Sequence, residues 1–281
     1  MKAFDQIIKV YSPAKVNFFL KILKKLPSGY HQLRMDLIPI GLFDELIFEP
    51  AEYFTLDCSG GEEIPEEQNL VYKAVKKLEG YLGKEISVKI TLKKQIPSGA
   101  GLGGGSSNAA ATLKTLIELF DIKIIDSELS EIAKSLGADV PFFLNPVPSI
   151  AEGIGEKLSP ISHFPKLYMV LLSPKQKIST AEAYSLCKPE ESNFVINDYS
   201  LENLKSLSME KNDFWTVLKA SYPVLQEAVT VFEQFNPIMT GLSGSGSTIY
   251  AVFKDQKTQV NVYNKLNKTN LPYRDIVCSS L

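Results

Sequence analysis

Histidine is scarce in this sequence: its 281 residues include only His31 and His163. A zinc site built from several histidines is therefore excluded, and a Ser/His/Asp triad would need one of these two side chains. The three cysteines, Cys58, Cys187 and Cys278, are far apart and form no CxxC pair. An odd, scattered set of this kind is typical of reduced thiols rather than of a disulfide framework or a zinc site.

The chain also lacks a long apolar run and a strong net charge. No stretch approaches the roughly 18 to 20 consecutive apolar residues that span a bilayer. Asp5, Lys9 and Lys15 interrupt the first residues, which therefore lack the apolar centre of a signal peptide. Thirty basic residues against 32 acidic ones leave a net charge of −2, too little basic field to attract a nucleic acid. We expect a cytoplasmic protein that binds a small molecule, with no nucleic-acid or membrane partner.

The composition that remains is that of a globular protein, with 44% hydrophobic and 22% charged residues. Alternating or apolar segments predict several short strands before residue 60, and helical spacing predicts a helix from Asn69 that stops at Gly83. Residues 138–145 and 148–161 are predicted as strand and hairpin. The pattern favours an α+β fold with a mostly antiparallel sheet, divided into an N-terminal domain, 1–158, and a C-terminal domain, 159–281, that resembles a split βαβ unit.

One stretch stands out from this pattern: residues 98–107 contain five glycines and three serines. Glycines that open a helix expose several N–H groups at the positive end of the helix dipole, which is an anion site. Ser106 or Ser107 is expected to cap the helix that follows. A flexible linker would not join a strand to an amphipathic helix so tightly. The stretch therefore predicts a phosphate-binding loop.

The type of phosphate loop is not decided by its composition. The Walker pattern is absent, because the one Gly-Lys pair, at residues 83–84, is not followed by Ser or Thr. Residues 99–104, GAGLGG, fit the dinucleotide pattern GxGxxG, with Glu118 or Asp121 about 20 residues further on. Residues 93–97 separate the glycines from the preceding strand, a context that favours a different loop. A kinase and a dinucleotide enzyme both remain open at this point.

Residues 97–111, PSGAGLGGGSSNAAA, resemble the ATP-binding motif of the GHMP kinase superfamily, the small-molecule kinases named for galactose, homoserine, mevalonate and phosphomevalonate. Further stretches agree in chain order: SPAKVNFFLKI with GYHQL, LGADVPFFL with AEGIGE, and TGLSGSGSTIYAVF. The form GLGGGSSNAA is similar to one branch, whose alcohol substrate carries a cytidine diphosphate and belongs to the non-mevalonate route to isoprenoid precursors. The resemblance implies an N-terminal domain like domain 2 of ribosomal protein S5 and a ferredoxin-like C-terminal domain.

The resemblance also implies catalytic residues. Asp139 matches the base that accepts the proton of the alcohol, and Lys15 matches a catalytic lysine paired with it, with Asn17 on the same strand face. An ammonium in that position lowers the pKa of the aspartate and offsets charge on the γ-phosphate. Without the resemblance, Asp139 would be interpreted as a capping or turn aspartate and Lys15 as a solvated strand lysine.

Substrate-binding residues follow from the same resemblance. Tyr30 and His31 are expected to line a cytidine pocket, with Tyr184 as the opposite stacking aromatic and Thr180 nearby; turn and helix packing is the plainer alternative. Residues 241–247, GLSGSGS, form a second glycine loop, expected to close over the substrate diphosphate or to support the first loop, unless it is only a hairpin turn. The residues assigned to the diphosphate are Gly244, Ser245 and Gly246.

For the nucleotide, the resemblance implies that the glycine stretch wraps the ATP phosphates while Asn69 and Lys94 approach the adenosine. The residues assigned to the phosphates are Pro97, Ser98, Gly99, Ala100, Gly101, Leu102, Gly103, Gly104, Gly105, Ser106 and Ser107. Mg²⁺ is expected to bridge ATP oxygens, held mainly by ATP and Ser106 or Ser107, and its protein ligands are otherwise unassigned. Whether the protein is a monomer or a homodimer stays open.

Two alternatives to this function remain. The first is another kinase of the superfamily, acting on mevalonate or homoserine, against which Tyr30, His31 and Tyr184 argue because a small aliphatic alcohol needs no aromatic pocket. The second is a nucleotide-binding protein that has lost phosphoryl transfer, against which the presence of Lys15 and Asp139 argues.

Overall fold

The computed structural model describes residues 4–189, 196, 198–205, 209–268 and 273–281. The chain forms two compact units. The first unit consists of Met1–Ala14, Leu42–Ser98 and Gly103–Pro146, and the second of Lys15–Gly41, Gly99–Leu102 and Val147–Leu281. The predicted boundary between residues 158 and 159 stays a prediction. No helix among the described residues is long and apolar enough to cross a membrane.

Two long strands replace four of the short strands predicted near the N-terminus. These are β1 (Ile8–Lys25) and β2 (His31–Glu49), and both contribute residues to both units. Among the described strands β1 pairs only with β2, apart from a single bridge between Leu20 and Asn212, so it is an edge strand of its sheet. An edge strand tolerates Pro13, whose nitrogen cannot donate a hydrogen bond, and the strand therefore continues through it.

The first unit carries helices on a small sheet. Residues 45–49 of β2 pair antiparallel with β4 (Lys89–Lys93), and β3 (Thr55–Ser59) pairs parallel with β4. The helices are α1 (Leu70–Leu82), α2 (Gly104–Leu119), α3 (Asp126–Leu136) and α4 (Val140–Leu144). The predicted limits of α1 are confirmed, because Asn69 caps its start and Gly83, at φ +65°, ends it.

The predicted capping of α2 by Ser106 or Ser107 is wrong. The helix begins earlier, at Gly104, and Gly103 occupies the N-cap position with φ +69°. A residue without a Cβ adopts this left-handed conformation at little cost, so the chain can turn into the helix before it reaches the serines. Both serines consequently lie inside the first turns of α2.

The predicted strand or hairpin over residues 138–145 is also wrong, because this segment contains α4. Pro141 lies in the first turn of the helix, where its missing N–H is no loss and its fixed φ suits the helix. Phe142 and Phe143 are buried. A short apolar run of this kind does not distinguish a buried strand from a buried helix by periodicity alone.

The second unit contains a hairpin and a four-stranded sheet. In the hairpin, β5 (Ser149–Gly153) pairs with β6 (Lys157–Pro160), and β5 also pairs with residues 33–37 of β2. The strands of the second sheet are β7 (Tyr168–Pro174), β8 (Met239–Leu242), β9 (Ile249–Phe253) and β10 (Tyr273–Ser279). The helices are α5 (Thr180–Leu186), α6 (Leu201–Leu204), α7 (Asp213–Ser221), α8 (Pro223–Glu233) and α9 (Gln256–Leu266).

The order of the second sheet is β10-β7-β9-β8, and every pair in it is antiparallel. Helices α7 and α8 connect toward β8, and α9 connects β9 to β10, which gives the β-α-β-β-α-β order of a ferredoxin-like domain. The predicted split βαβ character is therefore confirmed. The predicted polar loop near 188–198 and the predicted helix over 200–219 fall partly outside the described residues.

Candidate active site

The first glycine loop, residues 97–107, takes its shape from alternate glycines. Gly99, Gly101 and Gly103 have φ values of +66°, +78° and +69°, in the left-handed region that side-chain-bearing residues rarely adopt. Residues 99–102 belong to the second unit, and the rest of the loop to the first. The unusual glycine content of the sequence is thus a requirement of the backbone path.

Lys15 is buried and bound to this loop. Its side chain is on β1, the residue is 4% exposed, and its Nζ donates to the carbonyl oxygen of Gly101 at 2.9 Å. The same Nζ donates to Asn17 Oδ1 at 2.5 Å, which confirms that Lys15 and Asn17 share one face of the strand. A buried ammonium needs such partners to offset its lost hydration, and they fix its position.

The second glycine loop, residues 241–247, supports the first loop, one of the two roles expected of it. Ser243 Oγ donates to the Gly101 carbonyl oxygen at 2.8 Å and accepts from the Asn17 amide at 3.2 Å. Within the second loop, the Gly246 amide donates to Ser243 O at 3.0 Å. A Cβ on Gly101 would lie 2.0 Å from the same carbonyl oxygen, so only glycine can occupy position 101.

Asn212, which stands in no motif of the sequence, holds the second glycine loop in place. Its Nδ2 donates to the carbonyl oxygens of Leu242 and Gly244 at 2.8 and 2.9 Å. Its Oδ1 accepts from the Phe214 amide at 3.0 Å and so caps α7. The sequence signals only the cap, an Asn in front of an apolar helix; the contact with a loop 30 residues further on carries no local signal.

His31 and Tyr184 lie together, as the resemblance implies. Their rings are stacked, with centroids 4.7 Å apart and planes 9° from parallel, and Phe214 packs edge-on against Tyr184 at 5.0 Å. Desolvation and the nearby Lys25 ammonium lower the pKa of His31 below its usual 6.5, so the imidazole is neutral at pH 7. The Tyr30 side chain is largely exposed, at 62%. The cytidine pocket itself stays a prediction.

Contacts within the second unit connect this aromatic pair to Lys15. Thr180 lies one helical turn before Tyr184 in α5, and its hydroxyl is 3.0 Å from the Ser245 hydroxyl. In the same loop, a Cβ on Gly244 would lie 3.2 Å from Asn17 Oδ1. Asn17 in turn accepts the hydrogen bond from Lys15. These residues therefore form a series of neighbours from the aromatic pair to Lys15, and the base, diphosphate and hydroxyl subsites stay predictions.

In the first unit, the start of α2 contains an unsatisfied polar atom. Ser107 is 1% exposed, and its Oγ has no hydrogen-bond partner among the described residues. A buried hydroxyl left in this state costs about 1–3 kcal/mol, so a bound group is expected to satisfy it. Hydroxyl and phosphate oxygens suit Mg²⁺, and the described residues contain no cluster of three or more His, Cys, Asp or Glu that could hold a metal. These residues fit an ion held by ATP oxygens and Ser107.

Asp139 lies in the turn between α3 and α4, in the same unit as the start of α2. It occupies the N-cap position of α4 but makes no side-chain cap hydrogen bond, so the turn alternative fits its position and the capping alternative has no support. Two residues earlier, a Cβ on Gly137 would lie 3.8 Å from Ser106 Oγ, which places this turn against the first turn of α2. The catalytic role of Asp139 and its pairing with Lys15 stay predictions.

Asn69 is buried and Lys94 is half-buried, with its side chain against the first turns of α2. Lys94 Nζ donates to Asn108 Oδ1 at 3.0 Å and forms a buried ion pair with Asp44. Asn69 Oδ1 accepts from the Val71 amide at 2.9 Å. Contact of either residue with adenosine stays a prediction. Asn108 stands in the quoted motif GLGGGSSNAA but has no role assigned from the sequence, and no local signal distinguishes Asp44.

Comparison with known proteins identifies the family of this chain. Two family models match the chain, GHMP kinases N terminal domain at residues 69–145 and GHMP kinases C terminal at residues 197–271. The chain belongs to the GHMP kinase family. It is therefore a small-molecule kinase with ATP as co-substrate, and the expected architecture of two GHMP kinase domains is confirmed.

Individual relatives of this kinase are similar over most of its length. The 4-diphosphocytidyl-2-C-methyl-D-erythritol kinase of Chloroherpeton thalassium is 37% identical over 264 residues, covering 91% of this chain and 92% of that protein. The enzyme of the same name from Syntrophus aciditrophicus is 38% identical over 257 residues, covering 89% and 91%. A crystal structure of 4-(cytidine 5'-diphospho)-2C-methyl-D-erythritol kinase matches with a TM-score of 0.83 and 28% identity, covering 97% and 98%. The homoserine kinase of Cytophaga hutchinsonii shares the fold, with a TM-score of 0.73 at 17% identity, covering 100% and 96%.

Proposed function

We propose that this kinase transfers the γ-phosphoryl group of ATP to the 2-hydroxyl of 4-diphosphocytidyl-2-C-methyl-D-erythritol, in the non-mevalonate (MEP) pathway to isoprenoid precursors. The names of its relatives at 37% and 38% identity support this substrate. The observation that carries the proposal is the stacked pair of His31 and Tyr184. A pyrimidine base can pack against such an aromatic pair, whereas mevalonate and homoserine have no ring that could do so.

The contacts of the second unit give the substrate its orientation. The cytosine packs against the stacked pair of His31 and Tyr184 and bonds to the neutral His31 imidazole, which offers one donor and one acceptor nitrogen. The diphosphate follows the hydroxyls of Thr180 and Ser245, which lie 3.0 Å apart. The polyol end then reaches Lys15 and its hydrogen-bonded neighbour Asn17. Binding energy from the remote base is thereby used to position the reacting hydroxyl.

Each catalytic group has one task in this proposal. Asp139 accepts the proton of the attacking hydroxyl. The Lys15 ammonium, held by Gly101 O and Asn17 Oδ1, offsets negative charge as the phosphoryl group is transferred. The N–H groups at the start of α2 hold the ATP phosphates. The Ser107 hydroxyl would be the protein group that holds a Mg²⁺ ion, which would supply positive charge beside the phosphates. A cytoplasmic location and a monomeric or homodimeric state remain predictions.

A coupled assay of ADP release tests the substrate. We expect turnover with 4-diphosphocytidyl-2-C-methyl-D-erythritol, and none above background with mevalonate or homoserine at the same concentration. Turnover on mevalonate or homoserine in its place would refute the branch assignment. Absence of ADP release with all three alcohols, with ATP binding intact, would instead favour a nucleotide-binding protein without transfer activity.

Substitution of Asp139 tests the catalytic assignment. Asp139→Ala is expected to lower kcat by at least about 10²-fold while leaving ATP affinity near that of the wild type, because the general base acts on the alcohol and not on the nucleotide. Asp126→Ala, at an exposed position at the start of α3, is the matched control and should leave kcat unchanged. Loss of ATP binding with unchanged residual chemistry would show that the assigned role is wrong.

A further inference from the structure

A fully buried carboxylate lies beneath the first glycine loop. Asp44, on β2, is 0% exposed. Its Oδ1 accepts from the amides of Gln95 and Ile96 at 2.6 and 2.8 Å, and its Oδ2 accepts from Asn108 Nδ2 at 2.9 Å and from the Lys94 ammonium. A carboxylate removed from water in this way stays ionised only when charged and neutral donors satisfy it. Four donors satisfy Asp44.

These donors flank both ends of the loop. Gln95 and Ile96 are the two residues that lead into it from β4, and Asn108 follows its last residue, Ser107, along α2. One carboxylate therefore ties the segment that enters the loop to the helix that leaves it. The Asn108 amide also donates to Ser12 Oγ at 2.7 Å, which further limits its movement.

The residues of this network pack closely against the start of α2. A Cβ on Gly104, the first residue of α2, would lie 2.9 Å from Ile96 Cγ2 and 3.1 Å from Lys94 Nζ. The ammonium and the Ile96 side chain thus touch the backbone of the residue that begins the helix. The Asp44 network therefore packs against the start of α2, where the N–H groups of the predicted anion site lie.

We propose that Asp44 is a positioning residue for the nucleotide: it fixes the first glycine loop through Gln95, Ile96, Lys94 and Asn108 and so determines ATP affinity without touching ATP. This inference rests on the proposed phosphate-binding role of the loop. The neighbouring ion pair offers a contrast on the same two strands. Glu45 and Lys93 lie 3.4 Å apart, but their side chains are 16% and 49% exposed, and Glu45 bonds to no residue of the loop in the described structure.

The test measures the affinity of the full chain for a nonhydrolysable ATP analogue by calorimetry, in the absence of the alcohol. Asp44→Asn keeps the shape of the side chain and an oxygen for the two amides, but it loses the charge that holds Lys94. We expect the Kd to rise at least about tenfold, as for loss of a hydrogen bond to a charged group. In steady-state kinetics the KM for ATP rises in parallel, while kcat at saturating ATP and the KM for the alcohol stay within about twofold.

Two controls separate positioning from general destabilisation. Glu45→Gln removes the exposed pair and should leave the analogue Kd unchanged. Leu46→Ala, at a fully buried position on the same strand, lowers the Tm through a cavity but should also leave the Kd unchanged. A wild-type Kd for Asp44→Asn, or an equal rise of the Kd in Leu46→Ala, overturns the inference. Failure of the proposed function looks different, because the analogue would then bind normally while the cytidine substrate is not phosphorylated.

Discussion

The contacts of Asn212 predict that one amide side chain controls both the stability of the second unit and the rate of phosphoryl transfer. Asn212→Ala removes two hydrogen bonds to carbonyl oxygens of the second glycine loop and the cap of α7. Asn212→Asp keeps an oxygen to cap α7 but places a carboxylate against the two carbonyl oxygens. Comparison of the two variants therefore separates the contribution of the loop from that of the helix cap.

The magnitude follows from the three bonds. Each hydrogen bond to the loop contributes about 1 kcal/mol net, and the cap contributes about another 1 kcal/mol, so Asn212→Ala should lower the free energy of unfolding by about 3 kcal/mol. Asn212→Asp regains the cap but adds repulsion at the loop, and should cost at least about 2 kcal/mol. Because Ser243 of this loop bonds to the same carbonyl oxygen of Gly101 as Lys15 does, displacement of the loop should lower kcat by about 10- to 100-fold in both variants.

Urea unfolding followed by fluorescence is the assay for stability, since the single tryptophan, Trp215, lies in α7 three residues after Asn212. The coupled ADP assay gives kcat. Asn264→Asp, at an exposed position on α9, is the matched control and should change neither value, with an effect within about 0.5 kcal/mol. If Asn212→Asp unfolds like the wild type, or if it loses about 2 kcal/mol without loss of kcat, the inferred link between the amide, the loop and Lys15 is wrong.

Three further predictions concern other groups. Gly101→Ala should destabilise the protein by more than the 1–2 kcal/mol of a left-handed alanine, because its Cβ would lie 2.0 Å from a carbonyl oxygen; Gly80→Ala, in an open helical position, should be neutral or stabilising in the same urea assay. The KM for the cytidine substrate should rise as pH falls below 6.5 through the lowered pKa of His31, since the protonated imidazole loses its acceptor nitrogen; a KM constant from pH 8 to pH 5 contradicts this. Burial raises the pKa of Asp36 from 3.8 to about 6, so its stabilising proton is present at low pH and is lost as pH rises through 6. Asp36→Asn, which can still accept from Tyr199, should therefore raise the free energy of unfolding by about 2–3 kcal/mol at pH 8 and by little at pH 4, and an equal effect at both pH values refutes the assignment.

Local signals were sufficient for much of the fold. The start and the stop of α1 depend on side-chain and backbone chemistry within a few residues, and the helix predicted from Asn69 to Gly83 is confirmed to within one residue. The start of α2 and the helical state of 138–145 were not, for different reasons. The first depends on a positive φ at Gly103, which a capping rule based on serine overlooks, and the second on burial of a five-residue segment whose periodicity is ambiguous.

The residues of the candidate site likewise fall into those that a local signal marks and those that none does. Lys15, His31 and Tyr184 stand in recognisable motifs, and the structure brings His31 and Tyr184 together across more than 150 residues of chain. Asn212 and Asp44 stand in no motif, since their importance comes from carbonyl oxygens and amides that reach them only after folding. No local signal places Asp44 beside the segment that enters the first glycine loop, because it lies 51 residues before Gln95 along the chain.

The glycines of the first loop are required for different reasons. The shape of the loop therefore depends on residues outside it. Gly101 is required because the second glycine loop occupies the space of its Cβ, and Gly104 because Ile96 and the Lys94 ammonium do. The residues that impose these limits are themselves held, in the second unit by Asn212 and in the first by Asp44. Binding of a flexible phosphate chain costs less free energy when the N–H groups of the loop are already in position. A loop that is rigid before binding therefore has a higher affinity for the phosphates. We therefore expect substitutions of Asn212 and Asp44 to lower kcat and ATP affinity, respectively, although neither side chain is proposed to contact a ligand.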